Sequence, residues 1–87
     1  MEAFCSEVIA DIREAESEIE LIKVIGRSMT FLRKEQNSFK ESGFIMNMIA
    51  SLYTIDIKPL PLHTRQNIQL AIAIFKQFQK ESHERIF

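Results

Sequence analysis

Cysteine, glycine and proline are scarce in this chain of 87 residues, which contains one Cys, two Gly, two Pro and no Trp. A single thiol cannot close an internal disulfide, so we interpret Cys5 as a reduced, intracellular cysteine. No apolar run reaches the roughly 18 residues that a membrane span needs, and the acidic start Met1–Glu7 is unlike a signal peptide. Because the remaining composition is that of an ordinary globular protein, we expect one cytoplasmic domain.

Sequence signatures of catalysis and of cofactor binding are also missing. The chain has no Gly-x-Ser-x-Gly elbow, no glycine-rich phosphate loop and no Cys-x-x-Cys pair. His63 and His83 lack a second metal-ligating residue at the spacing that would place both on one helix face. We therefore expect no catalytic residue, no metal site, no cofactor and no enzymatic activity.

Apolar residues recur every three or four positions along most of the chain, which is the period of an amphipathic helix. Ser17 with Glu20, and Ser38 with Glu41, match the capping-box pattern that marks a helix start. A continuous first helix through Ser17 is the alternative, but at about 50 Å it would need a partner chain to cover it. The predicted helices cover residues 3–15, 18–35, 39–54 and, after the two prolines, 61 or 62 to 81.

The pattern therefore predicts an all-α fold, a small three- to four-helix bundle. We divide the chain into an acidic N-terminal helical arm at residues 1–16, the bundle at residues 17–82 and a frayed tail at residues 83–87.

The third predicted helix is unusually apolar. Its stretch Gly43–Tyr53, GFIMNMIASLY, has only two plainly polar side chains, Asn47 and Ser51. At 100° per residue the apolar side chains cover about 240° of the helix, and those of the last helix cover about 200°. One flanking layer cannot cover such an arc, so the helix is either central in its bundle or buried partly by another subunit.

From these arcs we predict a homodimer in which one patch meets itself across a two-fold axis. The predicted interface residues are Phe44, Met48, Leu52, Tyr53, Ile74, Phe75 and Phe78.

Charge is unevenly distributed although the net charge is only −1. Residues 1–22 hold seven acids and one Arg, whereas residues 23–87 hold ten Lys or Arg and five acids. In the second helix a basic stripe can meet phosphates, with salt-sensitive and sequence-independent binding expected. The candidate nucleic-acid or partner-binding residues are Lys23, Arg27, Arg33 and Lys34.

Three features follow one another over about residues 19–78: an aliphatic-glycine pair, an aliphatic helical cluster, and an arginine followed by an apolar helix. They comprise Ile25-Gly26; Ile45, Met48, Ile49 and Leu52; and Arg65 with Ile68, Ile72 and Phe75. In this pattern the sequence resembles the small enterobacterial biofilm and acid-resistance regulators of the YmgB/AriR and YcgZ group. The Pro59-Leu-Pro61 connection and the apolar first fifteen residues depart from that group's pattern.

The resemblance implies an all-helical homodimer that connects to two-component signalling, of the Rcs phosphorelay type, and influences biofilm formation and acid resistance. Non-specific DNA binding has also been proposed for that group, and it has no catalytic residues. Our leading interpretation is a dimeric, non-enzymatic regulatory adaptor that binds a signalling protein. A non-specific DNA-binding helical regulator is one alternative, and a bacteriocin-immunity-type helical bundle is another.

Overall fold

A computed structural model describes the backbone of residues 2–34 and 38–86 and the side chains of residues 3–34 and 41–81. The described residues form four α-helices and no strand, so the predicted all-α bundle is confirmed. The helices are α1 (Glu2–Glu14), α2 (Glu18–Lys34), α3 (Ser38–Thr54) and α4 (Leu62–Ile86).

The corner between α1 and α2 is built by the predicted capping box. The backbone N–H of Glu20 donates to Ser17 Oγ at 3.1 Å, which satisfies one of the unpaired donors of the first turn of α2. The carboxylate of Glu20 reaches back to the N–H of Glu16 at 2.8 Å, one residue earlier than in the standard box. The second predicted box depends on the Ser38 side chain, which lies outside the described residues.

Two polar side chains of α4 hold the C-terminal end of α1. The amide of Asn67 is buried and donates to the carbonyl oxygens of Ile12, at 3.1 Å, and Ala15, at 2.7 Å. His63 Nε2 also lies 2.6 Å from the Ala15 oxygen, and the imidazole is the donor because a carbonyl only accepts. Carbonyls at the end of a helix have no intrahelical partner, so these bonds cap α1 from a distant part of the chain.

Apolar side chains from all four helices form one buried core, with the spacing of three and four that the sequence predicts. Its largest members include Phe44 and Phe75, both fully buried. The centroid of the Phe44 ring lies 5.3 Å from the centroid of the Phe4 ring and 5.8 Å from that of the Phe75 ring. The Phe44 and Phe75 rings meet edge to face. Such aromatic pairs add about 0.5–1.5 kcal/mol beyond their burial, so these contacts tie α1, α3 and α4 together.

The core includes side chains of residues 1–16, which the sequence predicted to form a separate N-terminal arm. Cys5, Val8 and Ile12 are buried against the other helices, so α1 is an integral helix of the bundle. The acids Glu7, Asp11 and Glu14 of this helix are exposed. The acidic composition of residues 1–16 therefore reflects a solvated helix face.

The connection between α3 and α4 contains the two prolines, as predicted. Thr54 Oγ1 donates to the Ser51 carbonyl at 2.7 Å at the end of α3, and the N–H of Lys58 donates to Asp56 Oδ1 at 3.1 Å. Helix α4 then begins after Pro61, whose carbonyl accepts from the N–H of Arg65 at 3.0 Å. The helix continues to Ile86, so residues 83–86 of the predicted tail belong to α4.

Candidate protein-binding surfaces

Four of the seven residues predicted to form the dimer interface are instead core residues of the single chain. Phe44, Met48, Leu52 and Phe75 have at most 1% of their surface exposed in the single chain. They present no surface to a second copy because α1, α2 and α4 already cover this side of α3. The wide apolar arc of α3 thus combines a core face with a separate outer face.

The remaining predicted interface residues lie further out. Ile74 and Phe78 are half-buried against the core, whereas Tyr53 is 58% exposed. The ammonium group of Lys76 lies 4.9 Å from the centroid of the Tyr53 ring, in a cation–π geometry. Tyr53 therefore stands on the protein surface with a basic neighbour.

An outer apolar surface on α3 surrounds Tyr53. Met46, which is 61% exposed, Ala50 and Tyr53 follow one another at spacings of four and three residues, so they lie on one side of the helix. We name these three residues the α3 face. Ile49 borders it and is half-buried. An adaptable thioether beside an aromatic ring is a common composition of protein-binding surfaces.

A second outer surface lies on α2. Ile19 and Ile22 are 67% and 57% exposed, and Gly26 and Thr30 are exposed on the same side. At 100° per residue these four residues, which we name the α2 face, span about 80°. The core residues Ile25 and Leu32 lie about 100° and 120° around the helix from Gly26. Helix α2 therefore carries an exposed, partly apolar strip in addition to its core side.

The candidate basic stripe is exposed beside the α2 face. Lys23, Arg27 and Lys34 line one shallow depression of about 430 Å³, so three of the four candidate residues lie together. Arg33 stands apart from them because its Nε pairs with Glu41 Oε1 of α3 at 3.4 Å. The pair is half-exposed on the Arg33 side and therefore contributes little to stability.

Acids of α1 adjoin this basic stripe. Glu7 and Asp11 line a groove of about 200 Å³ between α1 and α2 that Arg27 also lines. Asp11 recurs with Glu14 and Glu20 in a neighbouring depression that again includes Arg27. Carboxylates that line the same grooves as Arg27 lower the positive potential that binding of a phosphate backbone requires. The positive potential of the stripe is therefore reduced on its α1 side.

Sequence reasoning missed Asn67 and His63, whose partners in the chain are 48 to 55 residues away. The one available signal was an Asn within the helical pattern of α4, at a position that proves to be buried among apolar neighbours. Gly26 was noted for its place in the family pattern, and its position at the centre of an exposed face was not foreseen.

Comparisons of the chain with protein-family models, with curated proteins and with solved structures gave no match. Among the described residues, none of the helices combines the length and hydropathy required to cross a bilayer. The described residues likewise contain no group of three or more His, Cys, Asp or Glu arranged to hold a metal ion.

Proposed function

We propose that this protein is a non-enzymatic helical adaptor that acts by binding another protein while paired with a second copy of itself. The role that the family resemblance implies, a connector of two-component signalling that influences biofilm formation and acid resistance, is the setting in which we place it. The observation that carries the proposal is the pair of outer apolar surfaces, the α2 face and the α3 face, outside a core formed within one chain.

Two such surfaces on one small bundle suit a connector. Four large apolar or aromatic side chains expose more than half of their surface, although other residues of the same helices are buried in the core. They are Ile19, Ile22, Met46 and Tyr53. Contiguous exposed apolar side chains are characteristic of protein-interaction sites. With two separate faces, the protein can hold its own copy and a signalling protein at the same time.

We assign the signalling partner to the α3 face. Tyrosine is enriched among the residues that dominate binding energy, and methionine adapts its shape to different partners. Lys76 lies beside Tyr53 and is exposed, so it can pair with an acidic group at the rim of the partner's surface. The acidic surface of a receiver or phosphotransfer domain fits this chemistry.

The test is a binding measurement between the full chain and a panel of purified receiver and histidine-phosphotransfer domains. Met46→Glu places a charge in the α3 face and should weaken binding about tenfold or more. Gln66→Glu adds the same charge at an exposed position of α4 and should leave affinity unchanged. Absence of binding to every domain in the panel, or equal binding by both variants, would contradict the proposal.

A further inference from the structure

The outer side of α2 contains a glycine that the fold of a single chain does not require. Gly26 is exposed in mid-helix, and outside its chain neighbours and the adjacent backbone of α2 no atom lies within 4 Å of the position a Cβ would take. Its φ lies outside the left-handed region, so any residue fits its backbone. A mid-helix glycine destabilises a helix relative to alanine, whereas its lack of a side chain permits another backbone to approach closely.

The two ends of α2 carry opposite charges, and the cations Lys23 and Arg27 lie between them. Glu18 and Glu20 lie in its first turn, and Arg33 and Lys34 lie in its last turn. Gly26 is the middle residue of the helix, which has 17 residues. Two copies of α2 that pair antiparallel about Gly26 bring each acidic end against the basic end of the other copy. A parallel pair would instead place like charges together.

The apolar residues of the α2 face agree with this arrangement. With Gly26 on a two-fold axis, Ile22 lies level with Thr30 of the partner subunit, and Ile19 lies level with the partner's Arg33. The first pair forms an apolar contact, and the aliphatic stem of an arginine covers an isoleucine well. Glu18 then lies level with the partner's Lys34, at the basic end of the opposite helix.

We infer that the α2 face is the self-association surface of this protein, and that it pairs antiparallel with the α2 face of a second copy about a two-fold axis at Gly26. This inference rests on the proposed function in that it names the surface through which the adaptor dimerises. It leaves the α3 face of each copy free for the signalling protein.

Cross-linking through introduced cysteines tests the arrangement. Gly26→Cys places two thiols beside the axis, within the 4.4–6.8 Å Cα separation that a disulfide bridges, so oxidation should link the chains. Gly43→Cys is the matched control, because Gly43 is also a helical glycine with open space around it but lies on α3. Equal cross-linking of both variants would show random collision and would overturn the inference.

The same method determines the direction of the pairing. A mixture of Ile22→Cys and Thr30→Cys chains should form a mixed disulfide, since these positions are level in the antiparallel pair. Ile22→Cys alone should not cross-link, because eight residues of helix, about 12 Å, separate its two copies. Strong self-cross-linking of Ile22→Cys would indicate a parallel pair and would contradict the inference.

Light scattering of uncross-linked protein completes the test. Gly26→Leu should raise the dimer dissociation constant at least about tenfold, and Gly43→Leu should not. A wild-type chain that is a monomer would reject self-association itself, whereas a dimer unaffected by Gly26→Leu would reject only the α2 face. Binding of signalling domains to the α3 face is measured separately, so failure of the dimer and failure of the adaptor role are distinguishable.

Discussion

The buried amide of Asn67 donates a 2.7 Å hydrogen bond to the carbonyl of Ala15, 52 residues earlier in the chain. The same amide also binds the Ile12 carbonyl. One side chain of α4 therefore holds the end of α1 at the point where the chain turns into α2. The position of the acidic helix in the bundle depends on this contact as well as on its apolar stripe.

Replacement of Asn67 by alanine should destabilise the fold by about 1–3 kcal/mol, because the Ile12 carbonyl loses its side-chain donor and the Ala15 carbonyl keeps only His63. Urea unfolding followed by circular dichroism measures the change. Gln66→Ala, at the exposed neighbouring position, should change the free energy of unfolding by less than about 0.5 kcal/mol. Equal stabilities of the two variants would show that the Asn67 bonds contribute nothing.

Ser17→Ala removes the side-chain oxygen that accepts from the N–H of Glu20. The expected cost is about 0.5–2 kcal/mol in the free energy of unfolding, as for other helix caps. Ser6→Ala serves as the control within α1, where it should be neutral or slightly stabilising since alanine is the better helix former. A chain that tolerates Ser17→Ala equally well would indicate that α2 begins without help from its cap.

Met48→Glu and Met46→Glu separate the two sides of α3. Met48 is fully buried, so a carboxylate there has no partner and should unfold the protein, at a cost of several kcal/mol. Met46 is 61% exposed, and its variant should keep the helical circular dichroism spectrum and the unfolding midpoint of the wild type. A folded Met48→Glu protein would show that this position is less enclosed than the structure has it.

DNA binding through the basic stripe should be weak because α1 places carboxylates beside Arg27. In gel-shift titrations we expect no retardation of duplex DNA near physiological salt. Asp11→Asn removes one of those charges and should strengthen any binding seen at low salt, whereas Glu81→Gln, on α4, should have a smaller effect. Tight binding by the wild-type chain would require a different account of the stripe.

The helices were predictable from the sequence because their signals are local. Apolar spacing and the Ser17–Glu20 box placed the start of α2 correctly, and the prolines placed the start of α4. The neighbour of each apolar residue was not predictable. An arc of 240° on α3 says how much of the helix is apolar, but not that Phe44 meets Phe75 while Met46 meets solvent.

Local sequence patterns also do not show that α1 packs into the bundle, which is why residues 1–16 were predicted to form a separate arm. Cys5, Val8 and Ile12 have the spacing of a core stripe, yet the density of acids around them suggested a helix standing apart. The hydrogen bonds that fix the end of α1 come from α4, more than 50 residues later in the chain, and no local sequence pattern predicts them. The basic stripe of α2, in contrast, could be predicted, because cations at helical spacing form a local sequence pattern.

The capping of α1 by α4 also bears on how the protein is synthesised. Helix α1 leaves the ribosome before α4, and His63 and Asn67 follow their partners Ala15 and Ile12 by 48 and 55 residues. At about 5–20 residues per second, the first helix waits roughly 3–10 s for the side chains that fix its end. During that interval its apolar stripe is available to chaperones, and the bundle closes only after α4 has been made.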